Sequence, residues 1–158
     1  MTKQSLISTP QFDRRTLLRM GAGTALVTVT PLPAFATPDD MREAQIALFG
    51  DTPIKTGRVK LKVPTIAENG FSVSLNVQVD SPMSTDDHVR QIAIFSSRNP
   101  ISELARFELG QRAGKAEVST RIRLSGTQTV HAVAEMSDGT LWSGSAETVV
   151  TLAACVIM

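Results

Sequence analysis

Two runs in the first half of this chain place an apolar side chain at every second residue. Val59, Leu61 and Val63 are interleaved with Arg58, Lys60 and Lys62, and Phe71, Val73, Leu75, Val77 and Val79 with Ser72, Ser74, Asn76 and Gln78. A period of two sends the two sets to opposite faces of a pleated strand, so the segment suits a sheet with one dry face and one wet face. It does not suit an amphipathic helix. Glu68-Asn69-Gly70 separates the runs, and Asn-Gly in that position predicts a hairpin turn.

Further short strands are predicted near 91–95, 106–109, 116–124, 129–136, 141–143 and 147–152. Turn signals separate them at Ser81-Pro82, Asn99-Pro100, Gly110 to Gly114, Ser125-Gly126 and Ser137-Asp138-Gly139. Seven or eight alternating strands with no helices between them argue for an all-β fold, an immunoglobulin-like antiparallel β-sandwich, with a small closed barrel as the alternative. One short N-terminal helix precedes it. Thr37 caps that helix, Pro38 suits its first position, and Asp39 and Asp40 meet the positive end of its dipole. Met41, Ala44, Ile46, Ala47 and Leu48 form its apolar side, and Gly50 ends it.

The first 36 residues have the pattern of an export signal. Lys3, Arg14, Arg15 and Arg19 make a basic front, Met20 to Pro33 is mostly small and apolar, and Ala34-Phe35-Ala36 provides a cleavage site. The run Arg14-Arg15-Thr16-Leu17-Leu18-Arg19 resembles a twin-arginine signal, which implies a periplasmic destination. The apolar stretch is too short and too interrupted by Gly and Pro to span a bilayer. The expected organisation is a signal over 1–36, one sandwich domain over 37–152 and a tail over 153–158. Setting aside the 4 basic and 1 acidic residues of the signal, the chain's 16 basic and 15 acidic side chains fall to 12 and 14. No basic field is left to attract nucleic acid, and no second apolar span is present.

Conventional active-site constellations are missing. His88 and His131 lie on different predicted elements with no partner at metal-ligand spacing, His88 in a polar loop and His131 on the wet face of a strand. Arg121 and Arg123 share a strand face and suit either solvent or an anion such as sulfate or thiosulfate; solvent is the simpler expectation. Trp142 reads as packing. One residue is different. Cys155 is the only cysteine in the chain, so it has no partner within the chain and is the candidate site of covalent chemistry.

An ordered series of blocks then resembles a known family. Ile66-Ala67-Glu68-Asn69-Gly70, Val73 to Val79, Ser81-Pro82-Met83, His88-Val89-Arg90-Gln91-Ile92, Asn99-Pro100, Ser119-Thr120-Arg121-Ile122-Arg123-Leu124, Gln128, Ala132-Val133-Ala134-Glu135 and Ser137-Asp138-Gly139 together are similar to SoxY. SoxY is the sulfur carrier of bacterial thiosulfate oxidation. The resemblance also takes in Leu48-Phe49-Gly50-Asp51 and the cysteine just after the last strand. It implies a carrier with no enzymatic activity and no cofactor of its own, paired with a SoxZ-like β-sandwich subunit and holding sulfur on Cys155. It also implies a haem-containing partner that joins thiosulfate to the thiol, and a di-metal hydrolase that releases sulfate.

The tail departs from the family. SoxY chains end in a glycine-flanked cysteine, whereas this one ends Ala153-Ala154-Cys155-Val156-Ile157-Met158. Each glycine replaced removes roughly 0.4 to 1 kcal/mol of backbone freedom, and Val156 and Ile157 favour extended backbone. A diverged carrier for another sulfur or redox pathway is therefore a second expectation. A non-catalytic interaction module with Cys155 as incidental packing is a third. The last four residues also fit a prenylation pattern, which the bacterial export signal makes a coincidence.

Overall fold

The computed structural model describes residues 36–154. It is a two-layer β-sandwich with one helix on an outer face, the architecture expected from the alternation. Helix α1 (Pro38–Phe49) is followed by β1 (Ile54–Thr56), β2 (Val59–Lys62), β3 (Ile66–Asn69), β4 (Val73–Val79), β5 (Val89–Ser96), β6 (Glu103–Glu108), β7 (Glu117–Ile122), β8 (Gln128–Met136) and β9 (Leu141–Leu152). The smaller sheet has the order β2-β4-β7, and the larger runs β1-β9-β8-β5-β6 with β3 also paired to β9.

The alternation becomes the main core. Val73, Leu75, Val77 and Val79 of β4 are buried while Ser74 and Gln78 face water. Opposite them stand Ile92 and Ile94 of β5 and Val130, Ala132 and Ala134 of β8. The larger sheet is also dry on its other face. There Ala93, Phe95, Val133 and Leu141 pack beneath Met41, Ala44, Leu48 and Phe49 of α1, with the Phe49 and Phe95 rings edge to face at 6.4 Å. This second layer explains why Ile92 to Phe95 reads as an unbroken apolar run: a strand buried on both faces has no wet side to mark with polar residues.

The helix starts where its sequence signals place it. The Thr37 hydroxyl accepts from the Asp40 amide at 3.2 Å, and the Asp40 carboxylate accepts from the Thr37 amide at 2.6 Å, a reciprocal capping box. Its packing face differs by a residue. Ile46 and Ala47 are exposed, and Phe49, half-buried, packs on the sheet with Met41, Ala44 and Leu48.

Two strand expectations are corrected. Asn69-Gly70 does not turn a hairpin. β2 and β4 do pair antiparallel, Val59 opposite Val79, but the chain between them crosses to the other sheet as β3 and runs parallel to the end of β9, Ile66 beside Val149. Secondly, 141–143 and 147–152 are one strand, continuous in register against β8 from Glu135 opposite Leu141 to Gln128 opposite Thr148. Gly144 sits in its middle because a Cβ there would overlap the backbone of Val59. β9 thus has β8 along one edge and both β1 and β3 along the other, at its two ends.

Candidate functional site at the root of the C-terminal tail

The predicted site residue, Cys155, lies outside the described residues; the structure shows how the chain is held up to Ala154. The end of β9 is anchored by backbone groups. Gly70 N–H donates to the Leu152 carbonyl at 2.7 Å, Leu124 N–H to the Gly70 carbonyl at 2.9 Å, and Ala154 N–H to the Leu124 carbonyl at 3.0 Å. One turn earlier the Thr127 hydroxyl accepts from Val150 N–H at 3.0 Å. The tail therefore leaves the sandwich between Gly70 on one side and Leu124 on the other. Gly70 is required by close approach: a Cβ would overlap the Leu124 carbonyl and press to 3.0 Å on both the Ala154 nitrogen and the Leu152 oxygen.

Leu124 is itself held on both flanks by one buried side chain. Asn99 donates from Nδ2 to the Arg123 carbonyl at 2.7 Å, and its Oδ1 accepts from Ser125 N–H at 2.9 Å and from Gln128 Nε2 at 3.0 Å. Gln128 in turn accepts from the Ser96 hydroxyl, and that hydroxyl accepts from the amides of Arg98 and Asn99. Ser96, Asn99, Ser125 and Gln128 are all buried with partners, as buried polar groups need to be. Asn99 and Ser125 are legible in the sequence only as turn residues, and nothing local marks any of the four as buried. Their common feature is a polar residue inside otherwise apolar or turn-like stretches.

The surface around the tail root is apolar. Ile66 and Val149, side by side in register, are 65% and 45% exposed, and Phe71 and Leu152 next to the Gly70 anchor are 50% and 57% exposed. Phe71 continues the β4 alternation in sequence but falls before the strand begins, outside the core.

The other singled-out residues lie apart. His88 Nδ1 is 3.1 Å from the Ser84 carbonyl in the loop before β5, whereas His131 lies far along β8, opposite Phe95. His131 is half-buried, and burial holds its pKa below the ordinary value. Among the described residues no group of three or more His, Cys, Asp or Glu is arranged to hold a metal. The Arg121 guanidinium is exposed and donates to the Ser72 hydroxyl at 3.0 Å; Arg123 is exposed too, and its carbonyl is what the Asn99 network uses. Trp142 is half-buried against the main core, with the Lys55 ammonium 5.5 Å and the Arg58 guanidinium 5.8 Å from its ring. Arg58, read from the sequence only as a wet-face residue, pairs through Nη2 with both carboxylate oxygens of Asp87, at 2.8 and 3.1 Å. Among the described residues no helix is long and apolar enough to cross a membrane.

Comparison with known proteins gives the same direction. Residues 45–155 match the family described as "Sulfur oxidation protein SoxY". Among solved structures, the sulfur carrier protein SoxY from Chlorobium limicola f thiosulfatophilum is similar at 31% identity with a TM-score of 0.61, over 72% of this chain and 98% of that one. A superoxide reductase (neelaredoxin) from Ignicoccus hospitalis shares the fold at 17% identity with a TM-score of 0.52, over 74% of this chain and 95% of that one. No curated protein matches the chain. On the strength of the family match and the SoxY structure, this chain belongs to the SoxY family of sulfur oxidation proteins.

Proposed function

We propose that the chain is a periplasmic sulfur carrier that holds thiosulfate-derived intermediates covalently on Cys155. The observation that carries this reading is where the family match stops: it runs through the whole sandwich and ends on Cys155, the chain's only thiol. The similar Chlorobium protein is named as a sulfur carrier. A carrier needs a nucleophilic sulfur near the end of a chain that other proteins can reach, and little else. The sandwich supplies a rigid body; the tail supplies the sulfur.

The chemistry divides between the carrier and its partners. In the loading step a bond forms between the Cys155 sulfur and the outer sulfur of thiosulfate. The thiol proton goes to solvent and two electrons pass to a haem-containing partner. In the release step a di-metal hydrolase directs water to the terminal sulfone. The bond between that sulfone and the thiosulfate sulfur now joined to Cys155 breaks, sulfate leaves, and a persulfide stays on Cys155 without further electron transfer. Metals and haem belong to the partners. A SoxZ-like β-sandwich subunit is the proposed stable companion. The export signal over 1–36 accounts for the compartment, with residues 37–152 as the domain and 153–158 as the tail.

Intact-mass measurement tests this directly. After incubation with thiosulfate and the oxidising haem partner, the protein gains the mass of a thiosulfonate group, and Cys155→Ser gains nothing. An unmodified native protein under those conditions, with a thiol that alkylates only in denaturant, contradicts the carrier and leaves a docking subunit.

A further inference from the structure

We propose that the free edge of β7 is a docking surface for a second copy of this chain, which lays its own β7 antiparallel along it about a two-fold axis at Ser119 and joins the two small sheets into one. The proposal is independent of the chemistry assigned to Cys155.

β7 ends the small sheet, with β4 on one side and, among the described residues, no strand on the other. An open edge is a template for pairing unless something blunts it. The other edges are blunted. β1 has three residues and β3 four; β2 has four, two of them lysines, with Pro64 just beyond. β6 carries Glu103, Arg106 and Glu108 and lies against a register shift in β5. β7 keeps six residues in unbroken register with β4, without proline and with no charge turned into the core.

The backbone fixes the register of the second strand. Val79 N–H donates to the Ala116 carbonyl at 2.8 Å, in line with Gln78 opposite Glu117. Alternate residues of an antiparallel ladder turn their amides and carbonyls to opposite sides, so Val118, Thr120 and Ile122 face β4 while Glu117, Ser119 and Arg121 face the free edge. That edge is closed at both ends. Lys115 N–H donates to the Ala113 carbonyl at 2.7 Å, and the Arg123 carbonyl accepts from Asn99 Nδ2 at 2.7 Å. What remains is 117–121, centred on Ser119. A two-fold axis there makes Ser119 its own partner and sets Glu117 opposite Arg121 of the second copy, on both sides of the axis. Each of these pairs exchanges two backbone hydrogen bonds.

The side chains are complementary in the same register. Within one chain Glu117 and Arg121 stand four residues apart, about 13 Å along a strand, and neither is in an ion pair among the described residues. Across the axis their Cα atoms come within about 5.5 Å, where opposite charges stabilise a sheet. On the inner face Val118 and Thr120, both half-buried at the open edge, cover each other. The antiparallel pairing sends the two Leu124 residues, and with them the tail roots, to opposite ends of the joined strands.

Sedimentation equilibrium of the protein as its host processes it tests the assignment, under reductant so that no disulfide through Cys155 contributes. The native protein forms a dimer. Glu117→Arg and Arg121→Glu each set two like-charge pairs across the axis and weaken the dimer at least about tenfold. Mixing the two variants restores a dimer of one copy of each, because every pair across the axis is again opposite in charge. The Ser119 amide exchanges slowly in the dimer and fast once dilution gives the monomer. A native protein that stays monomeric up to about 1 mM overturns the proposal, whether the edge is then free or taken by a different β-sandwich chain. A dimer indifferent to both charge changes, or a mixture that does not restore what the single variants lose, overturns it too. Should a charge variant not fold, Ser119→Pro decides, since it removes an outward amide and leaves the ladder to β4 intact: loss of the dimer supports the pairing, and retention overturns it.

Discussion

His131 shows how one side chain's surroundings set a pH dependence for the whole fold. It sits on the face of β8 that also bears Val133, beneath the layer that includes α1, and burial lowers its pKa from the ordinary 6.5. The unfolded chain therefore binds a proton in a pH range where the folded chain does not. Stability rises with pH wherever the unfolded state holds more protons, so this contribution is complete above about 6.5 and is lost as pH falls below it. The urea midpoint of the native protein is expected to drop between pH 7 and pH 5.5, and the drop is expected to shrink in His131→Gln. Equal drops in the two proteins contradict this assignment.

At the scale of elements, the buried Asn99 network joins β5, the segment after β7, and β8. Replacing Asn99 with Ala removes the partner of the Arg123 carbonyl, the Ser125 amide and Gln128 Nε2, while Gln128 Oε1 keeps the Ser96 hydroxyl. Leaving such groups buried without partners costs about 1 to 3 kcal/mol. Asn99→Ala is expected to lower unfolding free energy by that amount in urea titration and to loosen the Ala154 amide alongside it; unchanged stability contradicts a bracing role. This network also marks the limit of what local pattern conveys. The alternation of Val73 to Val79 was legible because one strand face meets a core and the other meets water. Residues 144–146 fell between two predicted strands because the reason for Gly144, the backbone of Val59, lies on a distant strand. Asn69-Gly70 looked like a turn for the same reason: its partners are Leu152 and Leu124, and short-range rules carry no information about them. Cys155 was legible as the only thiol in the chain, whereas the anchoring of its tail depends wholly on tertiary contacts.

For the molecule as a whole, a body with two dry layers carries a chain end that leaves from a defined point. One apolar layer lies between the sheets and another under α1, and backbone bonds to Gly70 and Leu124 hold the chain at Leu152 and Ala154. The most direct test is peptide mapping by mass spectrometry of the protein recovered, without reductant, from its own host oxidising thiosulfate. The account predicts a population of C-terminal peptides bearing extra sulfur or a thiosulfonate on Cys155, lost when thiosulfate is withdrawn. A Cys155 found only as the free thiol, in cells actively consuming thiosulfate, contradicts it.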